Sequence, residues 1–290
     1  MTIIISAIMQ GILWSLLSLG LFITFRILSF ADMTTEGTFP LGGAVCAVLI
    51  YQGVHPILAT VIAMCSGIMA GLLTGFLMTV CKIPSLLSGI LTMTALLSIN
   101  LRIMGRANMT LLNKPTIFTS VSFLNLPEYF DGILVGFILI GLLIGLMLFF
   151  FSTELGQALI ATGDNKKMAK SLGISTNKMT IFGLMIANAI IALSGAVLAQ
   201  SNGFIDVNSG IGTIVIALAA IIIAEVLFAK VSFGERLISI VVGAIVYRLL
   251  LVFVLSLNIF EANDFKMMSA CIIAIFLTLP HVTLKSKKGV

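Results

Sequence analysis

Three charged residues, Asp32, Glu36 and Arg248, lie inside or against apolar runs of bilayer length. A charge at the bilayer centre costs ~2.5–3.5 kcal/mol even on the lenient insertion scale, so such a residue is by default a functional-site hypothesis. The chemistry open to it is recognition rather than bond-making. Asp32 and Glu36 precede Thr38, a plausible N-cap, and Pro40, which suits the first turn of a helix. The clean apolar stretch that follows, 38–52, is too short to cross alone. A helix broken at membrane depth must line protein or a water-filled cavity. Its freed N-terminus near Thr38 would favour an anionic group on a substrate, and an acidic side chain could meet a cationic one. The competing reading is an ordinary cytoplasmic loop with solvated charges. Arg248, in GAIVYRLLLVFV, would meet a substrate or gating carboxylate, or else hold a structural ion pair or snorkel from a tilted helix. Glu225, near the inner end of its run, is expected to serve structure or a gate. Covalent and metal chemistry find no support. His55 and His281 sit beside prolines with no ligand partner at metal spacing, and no Ser/His/Asp or Cys/His arrangement occurs. Cys46, Cys65, Cys81 and Cys271 form no CxxC pair. No metal and no cofactor are expected, and the chain is not expected to be an enzyme.

These residues need elements to hold them, and composition says which. The chain is 60% hydrophobic and 9% charged, with mean hydropathy +1.22; soluble domains carry about 25% charged residues. The expected class is all-α, a polytopic transmembrane bundle forming a single domain over 1–290. About nine spans are expected, at 3–25, 28–52, 57–80, 85–104, 133–151, 179–200, 211–229, 237–257 and 265–284. The second is the least secure, because it carries Asp32, Glu36 and Pro40. The net charge of +5 is no nucleic-acid footprint, since the basic residues fall between apolar runs. Placing the lysine-rich 153–178 segment inside gives inside ends with Arg26, Lys82, Lys230, Arg236, Lys285, Lys287 and Lys288 as well. The outside ends carry only Arg102, Arg106, Lys114 and Lys266. That bias predicts an outside N-terminus and an inside C-terminus; a re-entrant second span would flip the N-terminus. Gly67, Gly71 and Gly75, and again Gly141 and Gly145, repeat every fourth residue. This spacing lets helix backbones approach closely, within one chain by preference or else between subunits.

The segment 153–178, TELGQALIATGDNKKMAKSLGISTNK, is the one long polar and basic stretch. It must sit in water. Leu155, Ala158 and Leu159 share a helical face over 154–162, and Gly163 then breaks the helix. Asp164 suits the N-cap of a second short helix, 165–172, and Gly173 suits its C-terminal stop. That helix places Met168, Ala169 and Leu172 on one side and Lys166, Lys167 and Lys170 on the others. Such an amphipathic helix could lie on lipid headgroups or enter a groove on a soluble partner.

The string GQALIATGDNKKMAKSLGIS resembles the cytoplasmic coupling segment of permeases of the branched-chain amino acid/ribose class of bacterial ABC importers. The matching positions are Gly156, Ala161, Thr162, Gly163, Asp164, Asn165, Ala169, Leu172, Gly173 and Ile174. FADMTTEG at 30–37, with LGGA at 41–44, looks like that family's broken second helix. Ser194-Gly195-Ala196 is similar to its small-residue packing motif, and AAIIIAE at 219–225 to a late helix. The resemblance implies a multi-pass permease of the bacterial inner membrane. Two copies or two related subunits would form the pathway, a homodimer being the first expectation. Cytoplasmic ATP-binding subunits would dock on Gly163, Asp164, Asn165, Lys166, Met168, Ala169, Leu172 and Gly173. An extracytoplasmic solute-binding protein would deliver the solute. An amino acid is the first expectation for that solute and a sugar or nucleoside the second. The chain agrees by what it lacks: there is no GxxxxGK[ST] loop to hold ATP. An ion-coupled secondary transporter is the rival, but it should show matched broken helices in two repeats, and only one broken span is visible.

Overall fold

The structure is a computed structural model of the chain; it describes residues 2–119, 127, 129–228, 231–256, 267, 270 and 274. Among these, seven apolar segments reach the ~20 residues that a crossing helix needs. They are Ile3–Ile27, Pro56–Thr79, Ser85–Met104, Phe130–Ser152, Thr176–Asn202, Val207–Leu227 and Phe233–Val254. In chain order the helices are α1 (Thr2–Phe22), α2 (Thr35–Tyr51), α3 (Pro56–Thr79), α4 (Ser85–Met104) and α5 (Phe130–Ser152). Then come α6 (Glu154–Asp164), α7 (Lys166–Ser171), α8 (Thr176–Asn202), α9 (Thr213–Leu227) and α10 (Phe233–Ser256). The expected all-α bundle is therefore found. The expected span at 265–284 lies outside the described residues.

Helix α8 is the axis of the bundle. Of its apolar window 72% is buried, against 28% for α4 and for α5. Small residues explain the difference. Side chains added at Gly67 and Gly71 of α3 would collide with the backbone carbonyls of Asn188 and Leu184. One at Gly75 would meet the Cα of Ile181 at 2.9 Å. The three glycines thus form a flat ridge against which α8 lies antiparallel, as backbone-to-backbone packing in lipid requires. Gly195 of α8 meets the Phe39 carbonyl of α2 in the same manner. By contrast, Gly141 and Gly145 meet no neighbour among the described residues. The expectation of packing within one chain holds for the first triplet.

The expected second span, 28–52, is shorter than its apolar run. The last turn of the first span is a π-helix, Ile23–Ile27. Residues 28–34 are non-helical, and α2 begins at Thr35. This is the expected break, but the helix starts one turn earlier than Thr38. Pro40 lies inside α2, not in its first turn. A proline there removes the N–H that would bond the carbonyl four residues back, the Glu36 carbonyl. Gly210 packs onto that carbonyl so closely that a side chain would not fit. At the end of the bundle far from 153–178, Asn108–Thr110 (β1) pairs antiparallel with Phe204–Asp206 (β2). The α4–α5 connection is thereby tied to the end of α8.

Candidate functional site

The break before α2 is held by a buried polar network. Asp32 is 1% exposed, and Thr34, Thr38 and Asn188 are fully buried. The Asp32 Oδ1 accepts the Thr34 N–H at 3.0 Å. Its Oδ2 accepts from Asn188 Nδ2 at 2.8 Å. Thr38 Oγ1 donates to Asn188 Oδ1 at 2.7 Å, and the Thr34 and Thr74 hydroxyls pair at 2.8 Å. Asn188 lies at the middle of α8, so the network is at the middle of the bundle. A carboxylate there persists only with its lone pairs satisfied. Thr38 is accordingly not the N-cap: its hydroxyl bonds across the bundle, and Asp32 receives the first free amide of the turn. Asp32 and Thr38 act as a brace between helices, with no open face. Glu36 differs, being half-buried, with its Oε1 accepting the Gly212 N–H at 2.9 Å. Asn188 was invisible to the charge-based reading. The signal that could have found it is a lone amide in the centre of an apolar span.

The 153–178 segment forms α6 and α7, and their junction differs from the expected one. Helix α6 runs through Gly163 to Asp164, and the break falls at Asn165, at φ −152 and ψ 97. Asn165 Oδ1 accepts from the Lys167 and Met168 amides at 3.0 and 3.1 Å. Asn165, rather than Asp164, is therefore the N-cap of a helix running 166–171. Gly163 stays helical because it presses on the π-turn of the first span: a side chain there would overlap the Ile27 carbonyl. Gly173, with φ +82, stops α7 in the left-handed region as expected. The apolar face divides. Ala169 and Leu159 are fully buried against the bundle, whereas Met168, Leu172 and Leu155 are 47%, 69% and 52% exposed. Asp164, Lys166, Lys167 and Lys170 are also exposed. The segment thus rests on the π-turn on one side and presents leucine, methionine and lysine on the other.

The family profile described as "Branched-chain amino acid transport system / permease component" matches residues 3–278. The chain belongs to this permease family. The permease is 41% identical over 286 residues to the tyrosine transport system permease protein of Clostridioides difficile, covering 98% of this chain and 94% of that one. It is 28% identical over 169 residues to the autoinducer 2 import system permease protein of Yersinia enterocolitica, covering 58% and 46%. Among solved structures, PsaBC from Streptococcus pneumoniae in complex with Fab is similar in fold. Its TM-score is 0.52 at 15% identity, covering 94% of this chain and 89% of that one. The protein is the permease of an ABC importer and a multi-pass inner-membrane protein. ATPase and binding-protein partners follow from that family.

In this permease Arg248 is half-buried, its guanidinium 5.1 Å from the Trp14 ring centroid. It lines a cavity of ≈ 240 Å³ with Gln10 and Tyr129. Among the described residues the aromatic face of Trp14 on α1 is one of its contacts, a cation–π arrangement. Arg248 is not brought together with Asp32, Glu36 and Thr38. Glu225 pairs with Arg26 through two hydrogen bonds, that from Arg26 Nε at 2.6 Å. This pair joins α9 to the same π-turn that Gly163 touches. Gln200, also missed by sequence, is 4% exposed. It donates to Thr60 Oγ1 at 2.9 Å and accepts from the Ile117 amide at 2.9 Å, pinning the far-end loop to the bundle.

Proposed function

We propose that this permease forms half of the translocation pathway for an amino acid of the tyrosine type, as a homodimer with no covalent chemistry of its own. The observation that carries the substrate class is the 41% identity, over 98% of the chain, to a protein named for tyrosine transport. The segment 153–178 is the cytoplasmic coupling element. ATP-binding subunits dock on the exposed face of α7, with Gly163, Asp164, Asn165, Lys166, Met168, Ala169, Leu172 and Gly173 as the coupling residues. What supports this is the exposure of Leu172 and Met168 among lysines, and the close seating of Gly163 on the π-turn. A push on α7 reaches α6, then Ile27, then the Arg26–Glu225 pair at the inner ends of α1 and α9. The bundle converts that push into a change of access. Asp32 and Thr38 contribute by holding α2 in place beside the pathway, and Glu36 by facing it.

The test is reconstitution of the permease with its ATPases and binding protein in proteoliposomes. ATP-dependent uptake of labelled tyrosine is expected, with ribose not taken up; the opposite preference would refute the substrate class. Leu172→Asp adds a charge to the docking face while leaving the buried face intact. It is expected to abolish co-purification of the ATPases from a permease that still inserts. Normal association and transport in that variant would sink the coupling assignment.

A further inference from the structure

A small cleft of ≈ 80 Å³ opens between the first turn of α2, helix α4 and the 3₁₀ turn Val207–Gly210. Its polar lining comes from Glu36, Thr94, Asn100 and Asn208. Asn100 is fully buried. Its Nδ2 donates to the Gly37 carbonyl at 3.2 Å, and its Oδ1 has no hydrogen-bond donor among the described residues. Glu36 accepts one amide N–H, from Gly212, and makes no ion pair with any described residue. Thr94 spends its proton on the Leu91 carbonyl, leaving lone pairs. The cleft therefore offers a carboxylate, a buried amide oxygen and the side-chain amide of Asn208, which can turn its oxygen inward, with the hydroxyl proton already committed. Buried acceptors without donors are costly, and this set is complementary to a compact cation carrying several N–H groups.

Its depth tells what the mouth faces. Gly212 heads α9, which runs Thr213–Leu227 toward the coupling end, so Glu36 lies about 20 Å from that end at ~1.5 Å per residue. In a hydrocarbon core of ~30 Å this is well inside the membrane. Leu97 and Ile211 at the mouth are 42% and 52% exposed. A carboxylate opening on lipid there would be expensive, whereas irregular backbone such as 207–210 is tolerated where it lines a water-filled cavity. A mouth on the translocation pathway would meet both conditions.

We infer that this cleft binds the α-ammonium group of the transported amino acid, with Glu36 as counter-charge and Asn100 Oδ1 as a second acceptor. The inference rests on the amino-acid reading above. The cleft of ≈ 80 Å³ has room for about five to eight waters at ~10–15 Å³ each, which suits a hydrated ammonium group better than an aromatic side chain. The side chain of the substrate therefore stays in the pathway, and the cleft selects for the amine common to all amino acids.

The test relocates the charge. In the reconstituted complex, Glu36→Gln is expected to cut the maximal rate of labelled tyrosine uptake by about tenfold or more, the size of one hydrogen bond to a charged group. Assembly with the ATPases should be unchanged. Glu36→Gln combined with Thr94→Asp restores a carboxylate to the same cleft, leaves the Asn100–Gly37 bond intact, and should recover most of the rate. A normal rate in Glu36→Gln, or a loss that Thr94→Asp does not relieve, overturns the assignment. A second measurement needs no transport. Thr94→Cys, corrected for the parent's own cysteines, should react faster with a cationic than with an anionic methanethiosulfonate of similar size. Equal rates or an anionic preference overturn the acceptor cleft. If the native complex takes up no tyrosine, the substrate class fails, and the thiol chemistry still judges the cleft by itself.

Discussion

Exchanging Asp32 and Asn188 tests whether the buried network braces the broken helix. In Asp32→Asn the two acceptor oxygens become one, so either the Thr34 amide or Asn188 Nδ2 faces a donor instead of an acceptor. A bond to a charged group is worth ~1.5–3 kcal/mol, and a stranded buried donor costs ~1–3 more, roughly 2.5–6 kcal/mol in total. Asn188→Asp sets a second carboxylate 2.8 Å from the first, and a comparable loss follows. Made together, the two changes regenerate the network with roles exchanged. The Thr34 N–H donates to the amide oxygen now at 32, that amide donates to the carboxylate now at 188, and Thr38 donates to the same carboxylate. The bond from Asn188 to the Leu184 carbonyl is not replaced: a carboxylate oxygen faces that carbonyl at the former 3.0 Å, which leaves a small residual loss. Thermal loss of helical circular dichroism, in the purified permease in lipid nanodiscs, is the assay. At about 2 °C per kcal/mol for a chain of this size, each single change should lower the midpoint by roughly 5–12 °C. Independent sites would add, whereas the exchange should melt within about 4 °C of the parent. A double variant that melts as low as the sum of the singles would refute the network as the brace of α2.

Three further outcomes follow from the packing. Gly163→Ala places a methyl group on the Ile27 carbonyl; ATPase binding should persist while ATP-driven uptake falls severalfold, and unchanged uptake would remove the π-turn from the coupling route. Gly71→Ala should destabilise the fold by ~1–3 kcal/mol through overpacking against α8. Gly141→Ala, meeting no neighbour among the described residues, should leave the stability of the monomer unchanged or slightly raised, and both are read from the same thermal melt. A cysteine at Thr119 should label from outside intact cells and one at Lys170 only after permeabilisation; the reverse pattern would place 153–178 on the wrong side of the membrane.

Much of this permease is decided locally, and the sequence shows it. Span length follows from hydrocarbon thickness, so seven of the nine expected spans appear at nearly their expected ends. Exposure of 153–178 follows from its lysines, and the glycine spacing of α3 announced a close helix contact. None of these depends on what lies opposite. At 28–52 the short clean stretch argues for a broken helix and the charges for a solvated loop, and it took the structure to show the break before Thr35. Cap positions were less legible, because Asp164 and Asn165 are both good caps, as are Thr34 and Thr38, and the choice between neighbours is made by packing. Gly163 stays helical because Ile27 lies against it. Thr38 is taken into α2 because Asn188 offers an acceptor 150 residues away in sequence. The separation of Asp32 from Glu36 is likewise tertiary. The two carboxylates are one helical turn apart, yet one is fully satisfied inside the bundle and the other turns toward a cleft with Asn100. A charge in an apolar run says that a partner must exist; only the neighbouring helices determine whether that partner is the protein itself or something passing through it.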